Sequence, residues 1–290
     1  MPTGHARFAF FPQPIPVPLG QAALTLGQTF IRRPLSLAAV SPAPEGREIP
    51  VVDYELGFAL GLAVGLGHEL ELSAVLPMTL LRGGTGLSGA TAQDASELAD
   101  TAVYDPTIGL AFTPWPSAAR QLLGVKFRLD VSLPLGESDV FAGYAGPGLL
   151  PAADAELALG RLTLGAELGA RLGQSVDFAT SRQGSWLSAS FGLGFDLLDR
   201  ERLSVGLEGT LRQSLGEVDI DPGTATTSGP AAEWLGSVRS ADGPYSVLLG
   251  AGTGLPFARE RRESGGDDAV LAPTAPALRA VLRLSYAPLP

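Results

Sequence analysis

The sequence predicts an all-β chain: a transmembrane, antiparallel, up-and-down β-barrel of about twelve strands with short periplasmic turns and long extracellular loops. Three observations carry that expectation. Apolar and polar residues alternate with period two over many stretches, several of them long enough to cross a membrane as strands. The composition is 45% hydrophobic but only 17% charged, with 37 Gly and 24 Pro, which favours short strands joined by turns over long helices. The connections between strands alternate short and long, a sorting that outer-membrane barrels show and soluble sandwiches have no reason to adopt. No run of about 18 apolar residues is present, so a membrane-crossing chain of this kind must close as a barrel to satisfy its backbone polar groups.

Residues 1–20 read as a periplasmic N-terminal segment and 21–288 as the barrel. Met1 to Phe11 has neither a basic start nor an apolar run of useful length, so an exported chain is expected to be numbered from after a removed leader. The first strand is expected at 22–32. The second, 51–65, places Tyr54, Leu56, Phe58, Leu60, Leu62 and Val64 on one face against Glu55, Gly57, Ala59, Gly61 and Ala63 on the other. The third, 68–81, alternates Leu70 and Leu72 with Glu69, Glu71 and Ser73; a fourth follows at 103–114.

The fifth, 121–134, gives the cleanest pattern: Leu123, Val125, Phe127, Leu129, Val131 and Leu133 against Gly124, Lys126, Arg128, Asp130 and Ser132. Strands at 149–159, 161–174, 185–198 and 201–214 repeat it, with Leu162, Leu164, Leu168, Leu187, Phe191, Leu193, Val205 and Leu207 on the apolar side. The last three are expected at 231–240, where Leu235 breaks the alternation, at 244–255, and at 276–287. Short turns fall at Gly65–His68, Pro114–Arg120, Leu159–Arg161, Leu198–Arg202 and Ala241–Gly243. Long segments fall at 40–50, 82–102, 135–148, 175–184, 214–230 and 255–275, which leaves both termini on the periplasmic side. Tyr54, Tyr104, Trp115, Trp186, Tyr245 and Tyr286 lie near strand ends, where aromatic girdles belong.

Glu69 to Pro77, Lys126 to Gly136 with Glu137 to Gly143, and the closing Leu284-Ser285-Tyr286-Ala287-Pro288 resemble the barrels that precede OmpA-like peptidoglycan-binding domains in some Gram-negative bacteria. The resemblance spans most of 20–288 and implies a barrel fold and an outer-membrane location. It implies no catalytic residues. No peptidoglycan-binding domain is expected after Pro290, and Tyr286 is expected to serve where free-standing barrels of this kind carry a terminal Phe.

The polar face assigns a set of lumen-lining residues: Glu55, Glu69, Glu71, Lys126, Arg128, Asp130, Asp154, Glu156, Glu167, Arg171, Asp196, Glu208, Arg212, Arg279 and Arg283. Both signs alternate around the barrel, which argues against strong ion selectivity. The same charges could pair across neighbouring strands and brace a plugged lumen. Inward glycines such as Gly57, Gly124, Gly165, Gly192 and Gly206 give either room or curvature.

A net charge of −10 excludes a phosphate-tracking nucleic-acid binder. The two histidines, His5 and His68, have no serine placed near them as a nucleophile, so no catalytic residues, cofactor or metal are assigned. The acidic loop with Asp94, Glu97 and Asp100, and the one with Glu260, Glu263, Asp267 and Asp268, lack calcium-loop spacing and read as solvated surface. The expectation is a passive porin or narrow channel for small solutes or ions. The alternative is a structural or partner-binding barrel with a plugged lumen, one component of an envelope assembly. Outer-membrane lipid and lipopolysaccharide are the expected surroundings, with envelope proteins as further partners.

Overall fold

The structure, a computed structural model, describes residues 6–39, 47–84, 98–117, 122–136, 143–144, 146–174, 176–178, 181–198, 202–215, 217–219, 225–227, 230–255, 270–272 and 276–288. Twelve long strands form the wall: β1 (Ala22–Ala39), β2 (Arg47–Gly67), β3 (Leu70–Gly83), β4 (Thr107–Trp115), β5 (Leu123–Ser132) and β6 (Gly148–Leu159). They continue as β7 (Leu162–Gly173), β8 (Trp186–Asp196), β9 (Leu203–Ser214), β10 (Ala231–Asp242), β11 (Tyr245–Gly254) and β12 (Leu278–Tyr286). Each pairs antiparallel with its sequence neighbours. β1 also pairs with β12 over nine residue pairs, from Leu24↔Tyr286 to Arg32↔Leu278, so the sheet closes and no edge is left. This is the expected twelve-stranded barrel, and no helix is found among the described residues.

Burial is inverted relative to a water-soluble protein. Phe112, Phe127, Leu129, Leu168 and Phe191 are exposed, whereas Glu71, Lys126, Arg171 and Glu208 are at most 2% exposed. An outward apolar band around a polar interior is what a barrel in lipid requires, since water no longer rewards charges on the outside. The alternation read from the sequence is therefore the in–out alternation of the wall.

Local chemistry sets the turns. His68 and Glu69 both adopt positive φ, 51° and 60°, and close a two-residue hairpin between β2 and β3. Gly160 and Gly243, with φ of 66° and 55°, start the turns after β6 and β10, where a side chain would be strained. The long first hairpin extends past the expected 22–32 and 51–65 because β1 and β2 keep pairing to Ala39↔Arg47, across a bulge at Arg33 and Pro34.

Pro106 interrupts the fourth expected strand. The pair Ala102–Val103 adds to β3, the ladder breaks over 104–106, and β4 resumes at Thr107. That break turns Tyr104 and Asp105 into the barrel. Tyr104 is therefore no girdle residue: its hydroxyl donates to Glu55 Oε2 at 2.7 Å. Trp186 likewise shares the inward register of Ser188 and Ser190, while Tyr54, Trp115, Tyr245 and Tyr286 are exposed outside. Trp234 joins them at 41% exposure.

Candidate functional site

Among the described residues, the buried charged groups gather in the lumen, and its two ends are built differently. At the short-turn end, the chain before β1 runs inside the bore. Its contacts go to strands all round the wall. Arg7 Nη1 pairs with Asp196 of β8 at 2.6 Å. Glu208 of β9 accepts the amide N–H groups of Ala9 and Phe10, at 2.7 and 2.9 Å. Arg283 of β12 donates to the carbonyls of Phe8 and Ala6, at 2.7 and 3.1 Å. Further along, Glu71 of β3 accepts the Val17 amide at 3.2 Å, and the Ser117 amide donates to Pro14 O at 2.7 Å. A segment that touches β3, β8, β9 and β12 at once can only cross the lumen.

Of the segment 1–20, expected on the periplasmic side, residues 6–17 thus lie within the bore at its short-turn end. The physical reason lies in side chains that sequence patterning of strands passes over. Phe8 and Phe11 stack with ring centroids 4.8 Å apart and are at most 2% exposed. They lie over inward glycines: a Cβ on Gly165 would meet Phe11 at 2.6 Å, and one on Gly192 would meet Phe8 at 2.6 Å. Those glycines give room for a filler brought from elsewhere in the chain. Inward Leu235 and Leu248 are also fully buried, so the residue that breaks the alternation of β10 does so by facing the lumen.

Toward the long loops, the wall pairs with itself. Arg128 of β5 is surrounded by carboxylates: its Nε donates to Asp154 Oδ2 at 2.8 Å, its Nη1 reaches Asp130 at 3.4 Å, and its Nη2 donates to Glu167. Across the bore, Arg279 holds Glu233 with two bonds, 2.8 and 3.2 Å. Bidentate geometry of this kind fixes both side chains. Lys126 sits 3.4 Å from Glu71, linking this layer to the N-terminal segment below.

The residues assigned from sequence thus divide. Glu71, Asp196, Glu208 and Arg283 hold the N-terminal segment, and Glu156 accepts the Ser117 hydroxyl at 3.0 Å. Arg128, Asp130, Asp154 and Glu167 form one wall network; Arg279 belongs to a second; Arg171 is buried with its guanidinium 3.3 Å from the Tyr144 ring centroid. Arg212 is exposed at the loop-side rim, 4.7 Å over the Trp186 ring. Glu69 is the exception: it is exposed in the turn after β2, because His68 and Glu69 are the two residues that the hairpin consumes.

Sequence reading missed Arg7, Phe8, Phe11, Arg82, Asp105 and Glu233. The first three precede the first strand in a stretch without periodicity, so the sequence carried no signal for their burial. Arg82 lies beyond a bulge, where Leu80 and Leu81 both face out and the parity shifts. The acidic residues Asp94, Glu97, Glu260, Glu263, Asp267 and Asp268 lie outside the described residues. Among the described residues no cluster of three or more metal-ligating side chains occurs.

No protein-family profile matches the sequence, and no curated protein matches it. Solved structures do. A crystal structure of an outer membrane channel from Pseudomonas putida F1 superposes with a TM-score of 0.65 at 15% identity, covering 93% of this chain and 96% of that one. The NanC porin follows at a TM-score of 0.48 and 8% identity, covering 93% and 100%, a likeness too loose to argue from. At such identities the first match speaks to the fold, which is that of outer-membrane β-barrels.

Proposed function

We propose that this chain is a passive outer-membrane channel for small solutes or ions, entered through the polar loop-side lumen and narrowed at the short-turn end by residues 6–17. The observation that carries the reading is how the bore is filled. The two inward wall positions under the inserted aromatics are glycines, Gly165 and Gly192, and the filling comes from a stretch of backbone that belongs to no strand. Filling that belongs to no strand can be withdrawn without breaking the wall's ladder, unlike the wall side chains that fill the smallest barrels. The exposed apolar band supports an outer-membrane setting, with lipid and lipopolysaccharide around it; short turns then face the periplasm. The channel similarity in fold agrees with this reading.

The test is single-channel conductance of the refolded barrel in a planar bilayer in potassium chloride, for the full chain and for a variant lacking residues 6–17. Small discrete steps from the full chain and larger ones from the deletion are expected. Silence from both, with the barrel intact, would sink the channel reading. The second reading, a structural barrel with a plugged lumen, rests on the hydrogen bonds that Glu208 and Arg283 make to the inserted backbone. A deletion that folds yet conducts nothing would establish it.

A further inference from the structure

At mid-height the outward positions of the described strands are apolar, except for Gln28. It shares the outward register of Leu24, Leu26 and Phe30 on β1, and it is exposed. Gln28↔Leu282 is the central pair of the nine that join β1 to β12, and Phe58 of β2 lies opposite on the other side. The side-chain amide makes no hydrogen bond among the described residues. Hydrocarbon supplies no water to replace that bond, so an unpaired amide there is costly. Nearer the rim the same problem is solved within the chain: the Trp234 indole donates to the outward Thr253 hydroxyl at 3.0 Å.

Beside Gln28 the outer face is hollowed. Gly236, Ala251 and Ala280 lie opposite one another on β10, β11 and β12. With Gln28, Phe30 and the taller Leu249 they line a groove of about 680 Å³. A Cβ on Gly236 would meet nothing closer than 3.9 Å, so the floor is low because its side chains are small. A lipid chain can fill such a groove, but it offers Gln28 neither a donor nor an acceptor.

A second copy of this chain offers both. The carboxamide carries an N–H and a C=O, whose partial charges complement those of its own image across a two-fold axis. An axis along the membrane normal at β1 keeps both barrels in one orientation and lets the two amides exchange a pair of hydrogen bonds. The same axis lays the apolar face of β2, with Phe58 and Leu60, over the second copy's groove on β10, β11 and β12, and the reverse.

We propose that the chain forms a two-fold homodimer in the membrane through this face, with the two Gln28 side chains paired at the axis. The inference goes beyond the channel reading and does not need it, since each barrel keeps its own lumen.

The chain has no cysteine, so a single introduced one reports on a single place. Leu26→Cys lies next to Gln28 on the outer face and keeps the amide. In vesicles at high lipid-to-protein ratio, a short bismaleimide should link it into dimers. Leu168→Cys, exposed on β7 at the far side of the barrel, should stay monomeric. Adding Gln28→Leu to Leu26→Cys should lower the dimer yield about tenfold, the worth of one or two hydrogen bonds within a membrane. Adding Gly236→Trp instead fills the groove and should abolish the dimer, with heat-modifiable migration confirming an intact barrel. Cross-linking at position 26 no stronger than at 168 overturns the proposal. So does a yield unchanged by Gln28→Leu or by Gly236→Trp.

Discussion

The two ends of the lumen use the same residue types in the same inward register for opposite purposes. At the loop-side end, Arg128 meets carboxylates on its own strand and on β6 and β7, so the wall satisfies itself. At the short-turn end, Glu208 and Arg283 meet the backbone of residues 6–10, which belongs to no strand. Charges of the first kind link strands of the wall to one another; charges of the second kind link the wall to a segment that belongs to no strand. The lesson is that alternation identifies which residues face inward, and the partner decides what each one does.

The sharpest way to break the comparison is at Arg128. Arg128→Ala leaves Asp130, Asp154 and Glu167 crowded on three neighbouring strands with their common cation gone. Removing one partner of a buried ion cluster costs about 3–5 kcal/mol, because the remaining charges stay unpaired. Urea unfolding from lipid vesicles should show that loss in the barrel itself. An unfolding midpoint within error of wild type would mean that the network braces nothing.

Glu208→Ala should act on the other end and spare the wall. It removes the acceptor for two amides and for the Ser237 hydroxyl, and charge-assisted bonds of this kind are worth about 1.5–3 kcal/mol each. A loss near 3 kcal/mol shifts docking of the segment by about a hundredfold. Conductance should rise toward that of the deletion lacking residues 6–17, with the unfolding midpoint far less affected than in Arg128→Ala. If both variants lose barrel stability equally, the two ends are not distinct.

Gly192→Leu sharpens the same point by sterics alone. A Cβ there would already meet Phe8 Cε1 at 2.6 Å, so the larger side chain must displace the ring. Overpacking of a well-filled site costs about 1–3 kcal/mol. Protease cleavage near the N-terminus should accelerate while the barrel keeps its heat-modifiable migration; unchanged cleavage would place the segment's hold in the polar contacts instead.

How far the sequence carried follows from these cases. Strand positions were legible because each wall residue sees only two environments, and period two reports them directly. Pro106 and the bulge before Arg82 are where that parity fails, and there the sequence misplaced Tyr104 and passed over Arg82. Glu71, Lys126, Arg128 and Glu208 lie on the face that alternation assigned to the lumen, whereas Arg82, Asp105 and Glu233 were passed over and Glu69 was taken from the wall by the tight turn. The pairing of the inward charges was not legible, since partners such as Glu233 and Arg279 lie 46 residues apart and meet across strands whose register had to be known first. The N-terminal segment was the largest miss. Its contacts reach across 199 residues, from Ala9 to Glu208, and it carries no periodicity, so nothing in a local window marks Phe8 and Phe11 as buried.

The smallest expected effect lies at the rim, where neither kind of constraint applies. Arg212 shares the inward register of Glu208, yet it is exposed and its described contact is the face of Trp186. A cation–π contact at an exposed site is worth about 0.5–1 kcal/mol. Arg212→Gln should therefore leave both the unfolding midpoint and the conductance near wild type while changing the tryptophan emission, as the indole loses a charge over its ring. A large fall in stability would show that the wall's charge bracing extends to the rim, and the boundary between braced wall and free rim would then have to move outward past Arg212.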